Sequence, residues 1–376
     1  MARGGSSPLE RMAETRASGL GSAVCGLLGW LVTDVDDELK VAAWSGRTAL
    51  LALLVAMAGL ASVLAGEPAA MAGSGPPPTA YVLDNGAGTV VPIDTATNKI
   101  GAPINVGKNT QPDAIAITPN GVTLYVASGL DNTVIPVTTS TGKVGKPIKV
   151  GVFPEGIAIT PNGATAYVIN GLAGTVTPIK TATNAAGTPI RVGGTLRGIA
   201  ITPNGATAYI SDYSANTVVP ISIATDKVGR PISVGKGAGP DAIAISPNGA
   251  TVYVTDYLTG MVTPIKTATN AAEKPISLGT STAPDGVTIM PSGATVYVAE
   301  YSQDKVTPID TATDKPAKPI GAGLMARGMA ITPNGATAYV ANWGTTTVTP
   351  ITTATNKAAK PIQVGNGPIA IAMTRG

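Results

Sequence analysis

From Tyr81 onward the chain alternates apolar and polar positions in short runs. In one stretch these are Gly156-Ile157-Ala158-Ile159-Thr160, Thr165 to Ile169, Thr175 to Thr181 and Thr188 to Val192. A period of two marks a half-buried strand, and the first two runs are joined by Pro161-Asn162-Gly163, where Asn-Gly is the strongest short-range hairpin signal. Ala182 to Gly187 turn between the last two runs. Pro154 to Thr195 therefore predicts four antiparallel strands, the first with small and branched residues suited to a crowded axis.

The pattern recurs. Tyr81, Tyr125, Tyr167, Tyr209, Tyr253, Tyr297 and Tyr339 stand 42 or 44 residues apart. A repeat of that length built from several short strands cannot bury both its faces alone and must stack in a ring. The prediction is an all-β, seven-bladed β-propeller of four-stranded antiparallel blades. The first repeat begins at its second strand (Ala80-Tyr81-Val82), and the missing inner strand arrives only at Pro368 to Met373. This predicts a 3+1 closing blade that joins the two ends of the repeat region and removes a free sheet edge. The third strand carries Pro in every copy (Pro92, Pro136, Pro178, Pro220, Pro264, Pro308, Pro350). Because Pro cannot donate to a ladder, a bulge or wide pair is expected at each.

The recurring A-Y-V-x-N, G-I-A-I-T-P-N-G and T-A-T-N, spread over about 295 residues, resemble the YVTN-type β-propeller repeats of surface-layer and lactonase-like proteins. The resemblance implies the fold, and a cell-surface or periplasmic protein whose chemistry it does not define.

Upstream, Thr48 to Gly66 is uncharged and mostly apolar, between Arg47 and Glu67. It is long enough to span a hydrocarbon core of about 30 Å. Val63-Leu64-Ala65 and Ala70-Met71-Ala72 also offer small residues at the −3 and −1 positions of a signal-peptidase site, so cleavage and retention both stay open. The expected organisation is a lead-in over 1–47, a signal peptide or membrane anchor over 48–72, a linker over 73–79 and the propeller over 80–376. A second apolar stretch, Ala17 to Thr33, is broken by glycines and followed by Asp34, Asp36, Asp37 and Glu38. The expected location is secreted or at the cell surface, anchored by 48–66 if that segment is kept.

Composition narrows the chemistry. The 376 residues include no His, and the one Cys is Cys25, outside the repeats. That excludes Cys/His zinc sites, Cys nucleophiles, Ser-His-Asp triads and disulfides from the repeat body. Only 12% of residues are charged and the net charge is +3, too little and too scattered for nucleic acid. No cofactor and no catalytic residue is assigned. A cation held by carboxylate and amide oxygens stays open.

Strand direction sorts the loops. Those after the second and fourth strands share one face, here called top, and those after the first and third share the bottom. Top loops hold ten acids against five bases, bottom loops twelve bases against five acids. Apart from the repeat tyrosines, the aromatics Phe153, Tyr213, Tyr257, Tyr301 and Trp343 all fall in top loops. The last four share one loop position in consecutive blades, each preceded by a polar residue: Asp212-Tyr213, Asp256-Tyr257, Glu300-Tyr301, Asn342-Trp343. Rings edged by carboxylates and amides suit a sugar or a peptide; the alternative is that the rings cap neighbouring loops. A second ring is expected at the mouth of the central channel: Asp113, Glu155, Arg197, Asp241, Asp285 and Arg327, completed by Ile369. Acid beside base suggests salt bridges, and Asp241 with Asp285 is the one pair suited to a hard cation.

These features point to a surface recognition or scaffold module that binds a cell-envelope glycan or protein through its acidic, aromatic top face. Its basic bottom face and N-terminal segment would lie towards an anionic membrane or wall polymer. The alternatives are a lactonase-like or glycan-cleaving enzyme using top-face carboxylates, and a structural surface-coat protein.

Overall fold

The computed structural model describes residues 77–107 and 111–375; the expectations for residues 1–76 lie outside the described residues. Seven antiparallel sheets surround one axis, and the described residues contain strands and turns but no helix. The blade holding Tyr167 is representative: Pro154–Ile159 innermost, then Thr165–Asn170, then Thr175–Lys180. The fourth strand differs from the single run expected. It is two short pieces, Ala185–Ala186 and Ile190–Arg191, that both pair with the third strand. Between them stand Gly187-Thr188-Pro189, and Pro189 has no N–H with which to continue the ladder. In the blade holding Tyr209 the outer strand is reduced to Ile232–Ser233 and a single bridge, Ile221 to Val228.

The ring closes as expected. Thr79–Asp84 pairs with Pro368–Met373, and Thr79 N donates to Thr374 Oγ1 at 2.7 Å across 295 residues of chain.

Of the bulge or wide pair expected at each third-strand proline, the wide pair is found: Tyr81 pairs with Pro92, and Tyr167 with Pro178, in unbroken register and without a hydrogen bond between the two residues. Each proline carbonyl instead accepts a backbone N–H from the break in the outer strand, as in Gly101 N to Pro92 O at 2.8 Å and Gly187 N to Pro178 O at 2.7 Å. A residue in an antiparallel ladder directs N and C=O to the same side. The proline nitrogen therefore faces the outer edge, where no donor is needed.

Blade-to-blade packing supplies the core. Seven apolar clusters each join two neighbouring blades, one per interface around the ring. The repeat tyrosines are buried within them, and their hydroxyls reach the next blade. Tyr125, Tyr209 and Tyr297 donate to Asn184, Asn270 and Asn356 at 2.7 Å. Those asparagines end the T-A-T-N turns with φ between 51° and 55°, the left-handed region that Asn tolerates better than most residues.

The outer-strand break also redistributes the basic charge. Lys146, Arg230, Lys274, Lys318 and Lys360 precede the prolines of the break. They therefore sit at mid-height on the blade edges rather than on the bottom face, where Lys99, Lys143, Lys180, Lys227, Lys266, Lys315 and Lys357 remain, all exposed.

Candidate functional site

The bulges occur at the top of the inner strands. Register shifts fall between Pro112 and Ala114, Pro154 and Gly156, Leu196 and Ile199, Pro240 and Ile243, Pro284 and Gly286, and Ala326 and Met329. The unpaired residues at these shifts include Asp113, Glu155, Arg197, Asp241, Asp285 and Arg327, and Ile369 sits at the corresponding shift in the closing blade. A bulge re-aims a side chain away from the regular pleat, and here it supplies the whole expected ring. All seven residues line one cavity of about 680 Å³ on the axis, above a throat of Ile115, Ile157, Ile199, Ile243, Val287 and Met329. Glycine keeps the ring narrow: a Cβ on Gly286 would lie 2.0 Å from the Arg327 carbonyl oxygen, and one on Gly198 2.3 Å from that of Asp241.

Around the ring the order is acid, acid, arginine, acid, acid, arginine, isoleucine. Each arginine takes the acid before it. Arg197 Nη1 lies 3.0 Å from Glu155 Oε2, and Arg327 Nε lies 3.1 Å from Asp285 Oδ2. Asp113 and Asp241 are left without an ion pair among the described residues. Asp113 accepts one long bond from Asn85 Nδ2, 3.3 Å, while its Oδ2 is buried without a hydrogen-bond partner. Burial, helped by the Glu155 charge, pushes the Asp113 carboxyl up to about 6. Burial and then the Asp285 charge raise Asp241 as well. Glu155 is raised by burial against the opposing pull of Arg197. As for a cation, Asp285 is engaged by Arg327, and no cluster of three or more metal-ligating side chains occurs among the described residues.

The expected aromatic row is present in part. Tyr257 and Tyr301 have ring centroids 6.5 Å apart, and Tyr301 and Trp343 stack at 6.1 Å with 29° between planes. Tyr213 stands apart from this row and lies beside Arg197, whose guanidinium carbon is 5.4 Å from the ring centroid; Arg327 sits likewise over Trp343 at 5.7 Å. The end rings thus hold the two arginines of the mouth, an attraction between cation and ring face.

The polar neighbours of these rings are buried and bonded to the loops and third strands below, with Asp256 Oδ1 left without a hydrogen-bond partner. Asp212 Oδ1 accepts from Ser214 Oγ and Ala215 N at 2.9 and 3.0 Å. Asp256 Oδ2 accepts from Thr263 at 2.6 Å, and Glu300 accepts a very short bond from Thr307. Asn342 accepts from Gly323 N at 3.0 Å and donates to Thr349 at 2.9 Å. Burial pushes Asp256 up to about 7 and raises Glu300. The cause is register: each of these residues ends its second strand opposite the first residue of the third, so its side chain turns under the loop.

Sequence reasoning missed Phe153, Leu172 and Gln111 as lining of the same cavity. Phe153 has φ 56°, a strained setting for an aromatic residue that no sequence pattern announces.

No protein-family model matches the chain, and no curated protein matches it in sequence. Solved structures match it in fold. A protein of unknown function from Desulfotomaculum acetoxidans is 20% identical, with 79% of this chain and 98% of that one covered and a TM-score of 0.70. The periplasmic gluconolactonase of Pseudomonas aeruginosa is 16% identical over 79% of this chain and 99% of its own, TM-score 0.67. Hydrazine synthase of Kuenenia stuttgartiensis is 24% identical over 70% and 89%, TM-score 0.65. At these identities the likeness establishes the seven-bladed propeller that this chain shares with lactonase-like proteins.

Proposed function

We propose that this protein is a recognition propeller that takes its ligand at the top end of the axis. The observation that carries the reading is the pair of carboxylates, Asp113 and Asp241, that make no ion pair among the described residues in a cavity where Glu155 and Asp285 are matched by arginines. A pocket with a few convergent polar groups and perturbed acids is the default binding site of a fold. The row Tyr257, Tyr301 and Trp343 borders it through Arg327. The reading also takes the protein to act outside the cytoplasm or at the cell surface, which residues 48–66 and the repeat resemblance support. A screen of glycans and envelope components against the purified protein, with and without chelator, tests it. Binding should be lost in Trp343→Ala and be indifferent to chelator; absence of any binding favours the surface-coat role.

A second reading, lactone hydrolysis, is favoured by one observation, a mouth carboxyl pushed to about 6. Near neutral pH such a group takes a proton from water as the resulting hydroxide adds to the lactone carbonyl; the ring C–O bond then breaks and the alkoxide takes the proton back. The fold shared with a gluconolactonase is compatible with it. Turnover of a lactone panel, abolished by Asp113→Asn or Asp241→Asn, separates this reading from simple binding.

A further inference from the structure

Eleven large apolar side chains are exposed among the described residues, and seven of them lie in top loops. Leu130, Leu172 and Leu258 occupy the same turn position in three blades at 58%, 64% and 58% exposure, and Val152, Leu324 and Trp343 extend the set at 52%, 53% and 38%. Single exposed leucines are ordinary, but a set gathered on one face and encircling an acidic mouth marks an interaction surface.

The chemistry of that surface selects its partner. Sugars need hydroxyl-directed donors and acceptors beside the ring on which they stack. The polar residues next to the aromatics, Asp212, Asp256, Glu300 and Asn342, are buried and hydrogen-bonded within the fold, Asp256 through Oδ2 alone. What reaches solvent is an aliphatic and aromatic crown around two half-buried carboxylates, Asp113 and Asp241, that make no ion pair among the described residues. Protein interfaces have that composition, with an apolar contact zone and a central charged anchor, often arginine.

We infer that the top face docks a protein whose exposed apolar segment presents a lysine or arginine, the cation entering the mouth at Asp113 and Asp241 while aliphatic side chains settle on the leucine crown. This rests on the reading of the top face as a binding site and adds the class of partner. Burial already holds both carboxyls towards their neutral forms, and an incoming cation supplies the charge that would let them ionise.

The test is selection of a displayed library of random twelve-residue peptides on the full-length protein, with a glycan array in parallel. Enriched peptides should carry Lys or Arg flanked by Leu, Val or Phe. A synthetic hit should lose at least about tenfold in affinity when its lysine is replaced by norleucine, when the protein carries Asp113→Asn with Asp241→Asn, and when it carries Leu172→Ser with Leu258→Ser. The leucine pair is solvent-exposed, so its loss leaves the fold intact and guards against a misfolded mouth variant. Hits without basic residues, or hits indifferent to the mouth variant, overturn the inference. Glycan binding without peptide binding, lost in Trp343→Ala, overturns it too but leaves the top-face reading standing; no binding in either arm overturns both.

Discussion

The hydroxyl of Tyr339 donates to Asn98 Oδ1 at 2.7 Å, a contact between residues 241 apart in the chain. It is the same bond that Tyr125 makes to Asn184 and Tyr297 to Asn356, but it crosses from the last complete repeat to the first. The ring is therefore sealed twice, by the shared sheet of the closing blade and by this side-chain bond at the next interface.

Tyr339→Phe removes the bond and leaves Asn98 in its turn. The expected cost is about 1 kcal/mol of stability, seen as a lower thermal midpoint. Tyr125→Phe, at an interior interface, should cost the same; a far larger loss for Tyr339 alone would mean that closure depends on that bond more than on the shared sheet.

Gly286→Ala places a methyl 2.0 Å from the Arg327 carbonyl oxygen. Two inner strands must then move apart, at a cost of roughly 2–3 kcal/mol, and the Arg327–Asp285 pair beside them should loosen. Chemical denaturation reads the first effect. An unchanged denaturation midpoint would refute the claim that glycine sets the width of the mouth.

Asp113 titrates from an ordinary value of 3.8 to about 6 in the fold. An acid raised by folding contributes stability below its unfolded value, and that contribution disappears as pH climbs through the folded one. Between pH 4 and pH 7 the protein should therefore lose stability, with Asp241 acting in the same direction. Asp113→Asn should raise the unfolding free energy at pH 7 by on the order of 1–2 kcal/mol, after allowance for partial solvent screening, and flatten the slope. Ligand binding should show the opposite trend, strengthening as the carboxylates ionise.

Glu300→Ala and Asp256→Ala test whether the buried acids are loop anchors. Each leaves a buried threonine hydroxyl, Thr307 or Thr263, without its partner, and should lower stability by about 1–3 kcal/mol. Unchanged stability together with lost ligand binding would return these residues to the ligand-facing set.

The period of 42 or 44 residues and the split repeat were enough to reveal the seven sheets and their 3+1 closure, because both are properties of strand order. The mouth ring was legible for the same reason: one position per repeat, at the head of each inner strand, must converge on the axis. The pairings within it were not, since which arginine takes which acid depends on distances across neighbouring bulges. The third-strand prolines left bulge and wide pair open because sequence does not say towards which neighbour a strand residue points its nitrogen. Asp212, Asp256, Glu300 and Asn342 were placed beside their aromatics by adjacency in sequence, whereas strand-end register turns successive side chains to opposite sides.

The interruption of the outer strands has a consequence for crowding. Six of the seven blades end at the rim in two dipeptide pieces, and the seventh in one piece and a bridge, interrupted in every copy by proline and in most by a preceding lysine or arginine. Two such wheels pressed side by side offer each other no continuous row of amide and carbonyl groups and meet with like charge. The rims therefore give no template for edge-to-edge extension of a sheet from one molecule to the next.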